Sequence, residues 1–324
     1  MTDHLPEAPQ PAQPFSNPFL AAIDEGLGRP VSAEARRLTD AILARHRGSV
    51  AAVLFYGSCL RSADPEGILD VYVLTTSLRG FHRRLWPSLF NALLPPNVSY
   101  LEVPGENGRM IRAKVAVMGL GAFARAMRPD GLDTTLWARF CQPAALIHAD
   151  DRTVRGQVVE ALADAMATAA GWAVRLGPET GTPADYWTTL FRHTYGAELR
   201  VESRNRPELI YGWAAGRYDE LLRPALARAG IVVEDEDDGC LRPLVADRSA
   251  VLRRWRMRRR FGKPLNVLRL VKAAFTFENG VDYLLWKLER HSGRRLQLTG
   301  WQRRHPVLAA PGVLFRLYRD GTLR

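Results

Sequence analysis

The sequence predicts an α/β domain followed by a mostly helical domain and a basic, helical C-terminal extension. Short apolar runs of strand length fill the first half, apolar residues recur at helical spacing from about residue 153, and cationic residues crowd the chain beyond residue 240. At 324 residues the chain is long enough for two domains and a sizeable core.

Taken in order, residues 1–19 hold five prolines and no periodic apolar pattern, which predicts a mobile tail extending to about residue 30. A helix is expected over 33–47. AAVLFYG (51–57) and ILDVYVLTT (68–76) read as buried strands, with further strands at 98–103, 110–118 and 144–147 and helices near 82–94, 123–127 and 134–139. This mixture defines the α/β domain, 31–150. Helical spacing over 154–176, 184–195 and 208–229 defines a helical domain, 151–235. The acidic EDEDDG at 234–239 marks a solvated loop before the basic amphipathic region, 236–324.

Composition narrows the partners. Lys and Arg number 45 against 34 Asp and Glu, a formal charge of +11, so the surface attracts polyanions: nucleic acid, anionic lipid or nucleoside triphosphates. Cys59, Cys141 and Cys240 are scattered, odd in number and without zinc-site spacing, which predicts a reducing compartment. The N-terminus has acids and prolines where a signal peptide has a basic start and an apolar run, so a cytoplasmic location is expected. Without a run of about 18 uncharged apolar residues, membrane contact would be peripheral.

Chemistry concentrates in FYGSCLRSADPEGILDVYV (55–73). A buried strand ends at Tyr56, Gly57 and Ser58, and a second strand carries Asp70. Gly57 lets backbone approach a phosphate closely, a helix starting near Ser58 would aim N–H groups at the anion, and Arg61 adds charge. Asp70 offers a hard oxygen to Mg2+. The nucleotidyltransferases of the polymerase-β-like superfamily share this pattern of Gly-Gly or Gly-Ser followed by Asp-x-Asp or Asp-x-Glu. Here Tyr72 stands at the second acidic position. The same segment also reads as an ordinary strand-turn-helix with an acid at the core edge.

Read end to end, the chain resembles the mitochondrial translocator-assembly-and-maintenance family of CDP-diacylglycerol synthases. Tyr56-Gly57-Ser58 and Leu69-Asp70 match its opening fingerprint, and that family too commonly lacks the second acid. Phe81-His82 resembles a Trp-His, and Gly108-Arg109-Met110-Ile111-Arg112 resembles Gly-Arg-Leu-Ile-Lys. Leu136 to Phe140 with Gln142-Pro143 resembles Tyr-x-x-Gly-Arg-Leu-x-Lys-Pro, with Gln142 at the Lys position. Tyr195 to Arg200 resembles Tyr-Ser-Gly-Asp-Phe-Arg, with Glu198 at the Asp position, and Asn205-Arg206-Pro207 falls in an Asn-x-x-Lys-Pro-Asn neighbourhood. The resemblance spans about 53–226; the chain from 240 onward has no match.

The resemblance implies a polymerase-β-like nucleotidyltransferase domain over 31–150 and transfer of CMP from CTP to phosphatidic acid, giving CDP-diacylglycerol and pyrophosphate. Asp70 and Glu198 would serve catalysis and hold Mg2+; Tyr56, Gly57, Ser58, Arg109, Arg112 and Arg139 would bind the nucleotide. Glu102 is a rival to Glu198 as a further acid. Arg109, Arg112 and Lys114 equally suit a solvated strand face, and Glu198 an ordinary surface pair with Arg192 or Arg200. His82 and His193 read as structural. LRRWRMRRRFGK (252–263), with Trp255 and Phe261 interleaved and Leu265, Leu268, Phe275 and Trp286 following, resembles an interfacial helix on anionic lipid. Nucleic acid suits the same composition less directly. The expected location is the inner membrane face. Two other functions stay open: a nucleotidyltransferase acting on RNA or a soluble small molecule, and a degenerate module that only binds anionic surfaces.

Overall fold

The computed structural model describes residues 15–62, 67–197, 206–245, 248–276 and 299–304. The expected tail up to residue 14, Glu198 and Trp286 lie outside the described residues. In chain order the elements are α1 (Pro18–Leu27), α2 (Ala33–Arg45), β1 (Val50–Tyr56), α3 (Ser58–Ser62), β2 (Leu69–Thr75), α4 (Leu78–His82), α5 (Leu85–Leu93), β3 (Asn97–Pro104) and β4 (Met110–Gly119). They continue with α6 (Leu120–Ala126), α7 (Thr135–Phe140), β5 (Ala145–Ala149), α8 (Arg152–Leu176), α9 (Pro183–Ala197), α10 (Arg206–Trp213) and α11 (Ala215–Arg228). β6 (Val233–Asp235), β7 (Leu241–Pro243), α12 (Arg248–Thr276) and α13 (Gly300–Arg304) complete the set. Parallel and antiparallel strands mixed with helices make this an α/β protein, as the apolar runs predict.

The chain divides into two compact units, each discontinuous in sequence. A sheet unit draws on 31–120 and the chain from 264; a helical unit draws on the chain up to 30 and on 121–263.

In the sheet unit the strands run in the order β3-β4-β2-β1, with β1 antiparallel to β2, β2 parallel to β4 and β3 antiparallel to β4. β1 and β2 are buried at nearly every position, which is why both read as continuous apolar runs instead of alternating ones. α2 packs on β1 and β4 through Ala35, Leu38, Thr39 and Ile42, spaced three and four residues apart, and Ser32 caps it by accepting the Ala35 N–H. α5 packs on β3 and β4. The second half of α12 is tied to the turn between α5 and β3: Lys272 Nζ donates to the carbonyls of Leu94 (2.5 Å) and Pro96 (2.6 Å), and Arg269 Nε to that of Pro95 (3.2 Å).

The helical unit is built around α8, buried along most of its length and rich in alanine, so neighbouring helices approach closely; α1, α7, α9 and α11 pack against it. Asp151 caps α8 by accepting the Val154 N–H at 2.7 Å. Trp187, Phe191 and Tyr218 fill the space between α9 and α11. The first half of α12 belongs here. Trp255 is buried with its ring 5.2 Å from that of Trp172, and Arg258 lies 4.4 Å over the Trp172 ring while donating to the Pro129 carbonyl. Trp255, expected on a lipid-facing side, is therefore a core residue, while Phe261 is exposed. Among the described residues no helix is long and apolar enough to cross a membrane.

Candidate functional site

β1 ends at Tyr56, and the chain turns at Gly57 with φ +88°, a backbone conformation that side chains disfavour. The antiparallel register sets Tyr56 opposite Asp70. As a result the Asp70 carboxylate lies against the turn: a Cβ at Gly57 would stand 2.8 Å from Asp70 Oδ2 and 3.3 Å from Asp70 Cβ. Ser58 opens the short helix α3, whose Cys59 donates its thiol to the Ile68 carbonyl at 3.1 Å and so tethers the turn to the segment entering β2.

The parallel pairing of β2 with β4 sets Lys114 beside Asp70, and the antiparallel pairing of β4 with β3 sets Tyr100 beside Lys114. Direct partners in a sheet point to the same face, with strands about 4.8 Å apart. Tyr56, Asp70, Lys114 and Tyr100 thus form one row across the four strands. Tyr72 follows Asp70 on this face and is buried, its ring 5.4 Å from that of Tyr56. Arg112 and Glu102 are partners in the adjoining row.

That adjoining row is fixed by hydrogen bonds. Tyr100 donates its phenol O–H to Glu102 Oε1 at 2.8 Å, and Arg112 Nε donates to the same oxygen at 3.0 Å. Burial, reinforced by the bond to Glu102 and its charge, pushes the Tyr100 phenol above its ordinary range, so it remains a donor. Glu102 is therefore engaged by Tyr100 and Arg112, a role that suits a structural acid.

Tyr56, Gly57, Ser58 and Asp70 are thus brought together as the sequence predicts, with Arg112 on the same face as Asp70. Arg109 is exposed at the entry to β4 and acts on Glu34. That carboxyl is held below its usual range by its own backbone N–H, then by Ser32, with Arg109 and Arg37 adding charge. Arg139 lies half-buried on α7, in the helical unit. Gln142, at the position of the family's Lys, donates to the Ala138 carbonyl at 3.0 Å. His82 Nε2 sits 2.9 Å from Asn91 Nδ2, and His193 stands edge-on to Trp255 at 5.8 Å with its pKa lowered first by burial; both occupy structural settings.

Sequence reasoning grouped Lys114 with an exposed cationic face and missed its alignment with Asp70. The signal available was the alternation Arg112-x-Lys114, which puts both on one side of β4. Among the described residues no three His, Cys, Asp or Glu converge as a metal-binding group. Asp70 is the carboxylate against the Gly57 turn, and Mg2+ is commonly held by one or two carboxylates plus substrate phosphates, so a single acid is compatible with it. Chemically, the arrangement sets the Asp70 carboxylate against a glycine turn, on a face that also bears Lys114 and the Arg112–Glu102 ion pair. It suits a phosphate-bearing ligand. No protein-family model matches the chain, and no curated protein matches it.

Proposed function

We propose that the chain is a nucleotidyltransferase of the polymerase-β-like kind that moves CMP from CTP to the phosphate of phosphatidic acid, giving CDP-diacylglycerol and pyrophosphate. One observation carries the reading: the Asp70 carboxylate packs within 2.8 Å of the Cβ position at Gly57, on the face that also bears Lys114 and Arg112. Only glycine leaves room for that carboxylate against the turn, and the acid is where a triphosphate and its counter-ion would meet.

In this reading Gly57 and Ser58 receive the triphosphate through backbone and hydroxyl. Lys114 and Arg112 face the phosphates and stabilise charge that builds on them during transfer. The acceptor phosphate is already nucleophilic at neutral pH. One of its oxygens bonds to the α-phosphorus as the bond from that phosphorus to the bridging oxygen breaks, and the electron pair leaves with pyrophosphate. No strong general base is required, which suits a face where Tyr72 replaces a second acid. Mg2+ held by Asp70 would supply charge neutralisation between the phosphates. Arg109, Arg139 and Glu198 enter only through the family resemblance, as further phosphate and metal partners. The acceptor is a lipid, so the protein would work peripherally at the inner membrane face.

The test is pyrophosphate release from each of the four ribonucleoside triphosphates with Mg2+, with and without phosphatidic acid in vesicles. Release from CTP that depends on the lipid supports the reading. Lipid-independent release would point instead to RNA or a soluble acceptor. A second reading, a catalytically silent module that binds anionic surfaces, is favoured by Lys114, which sets a cation where a further acid would aid metal binding. Vesicle binding with neither CTP binding nor turnover would select it.

A further inference from the structure

α5 is inverted. A surface helix ordinarily turns its apolar stripe inward, yet the residues α5 buries are Ser88 and Asn91, while Leu85 (61%), Trp86 (65%), Leu89 (41%), Phe90 (38%) and Leu93 (72%) are exposed. At 100° per residue these five cover a stripe roughly 140° wide. The inward face is held by hydrogen bonds: Asn91 Nδ2 donates to the Val117 carbonyl at 3.0 Å and Ser88 Oγ to that of Leu78 at 3.2 Å. Rolling the helix to hide its leucines would break both bonds and strand the Asn91 amide. The second half of α12, anchored at the turn that follows α5, exposes Val267 (48%), Leu268 (57%) and Val271 (54%). At ~200 Å2 per large side chain the α5 stripe alone presents on the order of 500 Å2, the size at which a patch on a monomer marks an interaction site.

The rim identifies the occupant. Arg45, Arg47, Arg79, Arg83 and Arg84 are exposed around the start of α5. Arg83 donates to the Arg45 carbonyl at 2.9 Å and Phe81 stacks on His46 at 3.8 Å, so the two arginine-bearing segments lie together. Between Asp70 and Glu102 the sequence contains no acid, nor does it over 41–63. A patch with an aromatic and leucines at its centre and arginines of one sign at its rim complements an anionic lipid surface. A second copy docking the same patch would bring its own arginines alongside, over less than the roughly 800 Å2 per partner of a stable dimer.

We propose that α5, with the adjoining exposed residues of α12, docks the sheet unit on an anionic bilayer surface. The proposal extends the lipid-substrate reading to a named surface and does not require turnover. The test is flotation of the full chain, without CTP, on phosphatidylcholine vesicles with or without phosphatidylglycerol. Wild type should float with the anionic vesicles. Trp86→Ser/Leu89→Ser should bind at least about tenfold more weakly while melting normally, because both residues point to solvent. Arg79→Gln/Arg84→Gln should remove mainly the salt-sensitive part of binding. Absence of wild-type flotation would overturn the proposal, as would equal binding by the Trp86/Leu89 variant. A concentration-dependent dimer broken by that variant, with no flotation, would assign the patch to a second copy instead. Because CTP is absent, a failure here is read separately from a failure of transfer.

Discussion

Gly57→Ala probes the turn on which the candidate site depends. The backbone at φ +88° costs a side-chain-bearing residue about 1–2 kcal/mol. The new Cβ would also stand 2.8 Å from Asp70 Oδ2, so Asp70 must move by roughly 0.5 Å to restore van der Waals contact. Together these predict a loss of roughly 2–3 kcal/mol, read as a Tm about 5 °C lower. Turnover of CTP should fall by about tenfold to a hundredfold, because the displaced group is the acid at the reacting phosphate. A double-mutant cycle separates the causes: in an Asp70→Ala background most of the steric part is gone and the backbone part remains, a coupling of about 1 kcal/mol. The assays are thermal unfolding and pyrophosphate release. Wild-type melting and turnover in Gly57→Ala, or strict additivity with Asp70→Ala, would refute the reasoning.

Asp70→Asn is nearly isosteric and should abolish pyrophosphate release while leaving the melting curve in place; retained activity would remove Asp70 from the chemistry. Tyr100→Phe deletes the hydrogen bond to Glu102 at 2.8 Å and should cost about 1 kcal/mol in denaturant unfolding. An unchanged midpoint would show that Arg112 alone holds Glu102. Lys272 gives a pH signature: burial, then Arg269, lowers its ammonium from 10.5 to about 8. Between those values the unfolded chain carries a proton that the folded chain has lost, so this group's cost is full below about 8 and is relieved as pH rises toward 10.5. Wild type should therefore gain stability relative to Lys272→Met across that window; parallel melting curves would contradict the burial.

Strands were the most legible part of the chain, because β1 and β2 are covered on both faces and their apolar runs have no other use. Helix ends were less so. α1 begins at Pro18, inside the stretch expected as tail, although Asn17 capping the helix ahead of a proline at its first position is a readable start signal. The helix expected over 82–94 is α5, which starts only at Leu85 because Arg83 takes a left-handed conformation (φ 55°) that separates it from α4. The helix expected over 208–229 breaks at Ala214. The basic stretch at 252–263 misled for a physical reason: Val251, Trp255 and Arg258 recur at four and three residues, the spacing of a buried stripe, and Arg258 is covered by stacking on Trp172. Gly57 and Asp70 were legible as a pair because their strands are sequence neighbours. Lys114 was not, because its place beside Asp70 depends on the parallel pairing of β2 with β4 across α4, α5 and β3.

The most direct measurement is transfer of label from α-phosphate-labelled CTP into lipid, using phosphatidic acid vesicles, Mg2+ and the full chain, beside Asp70→Asn. The account predicts labelled CDP-diacylglycerol with wild type and none with the variant. No labelled lipid with wild type, or equal label with both proteins, would contradict it.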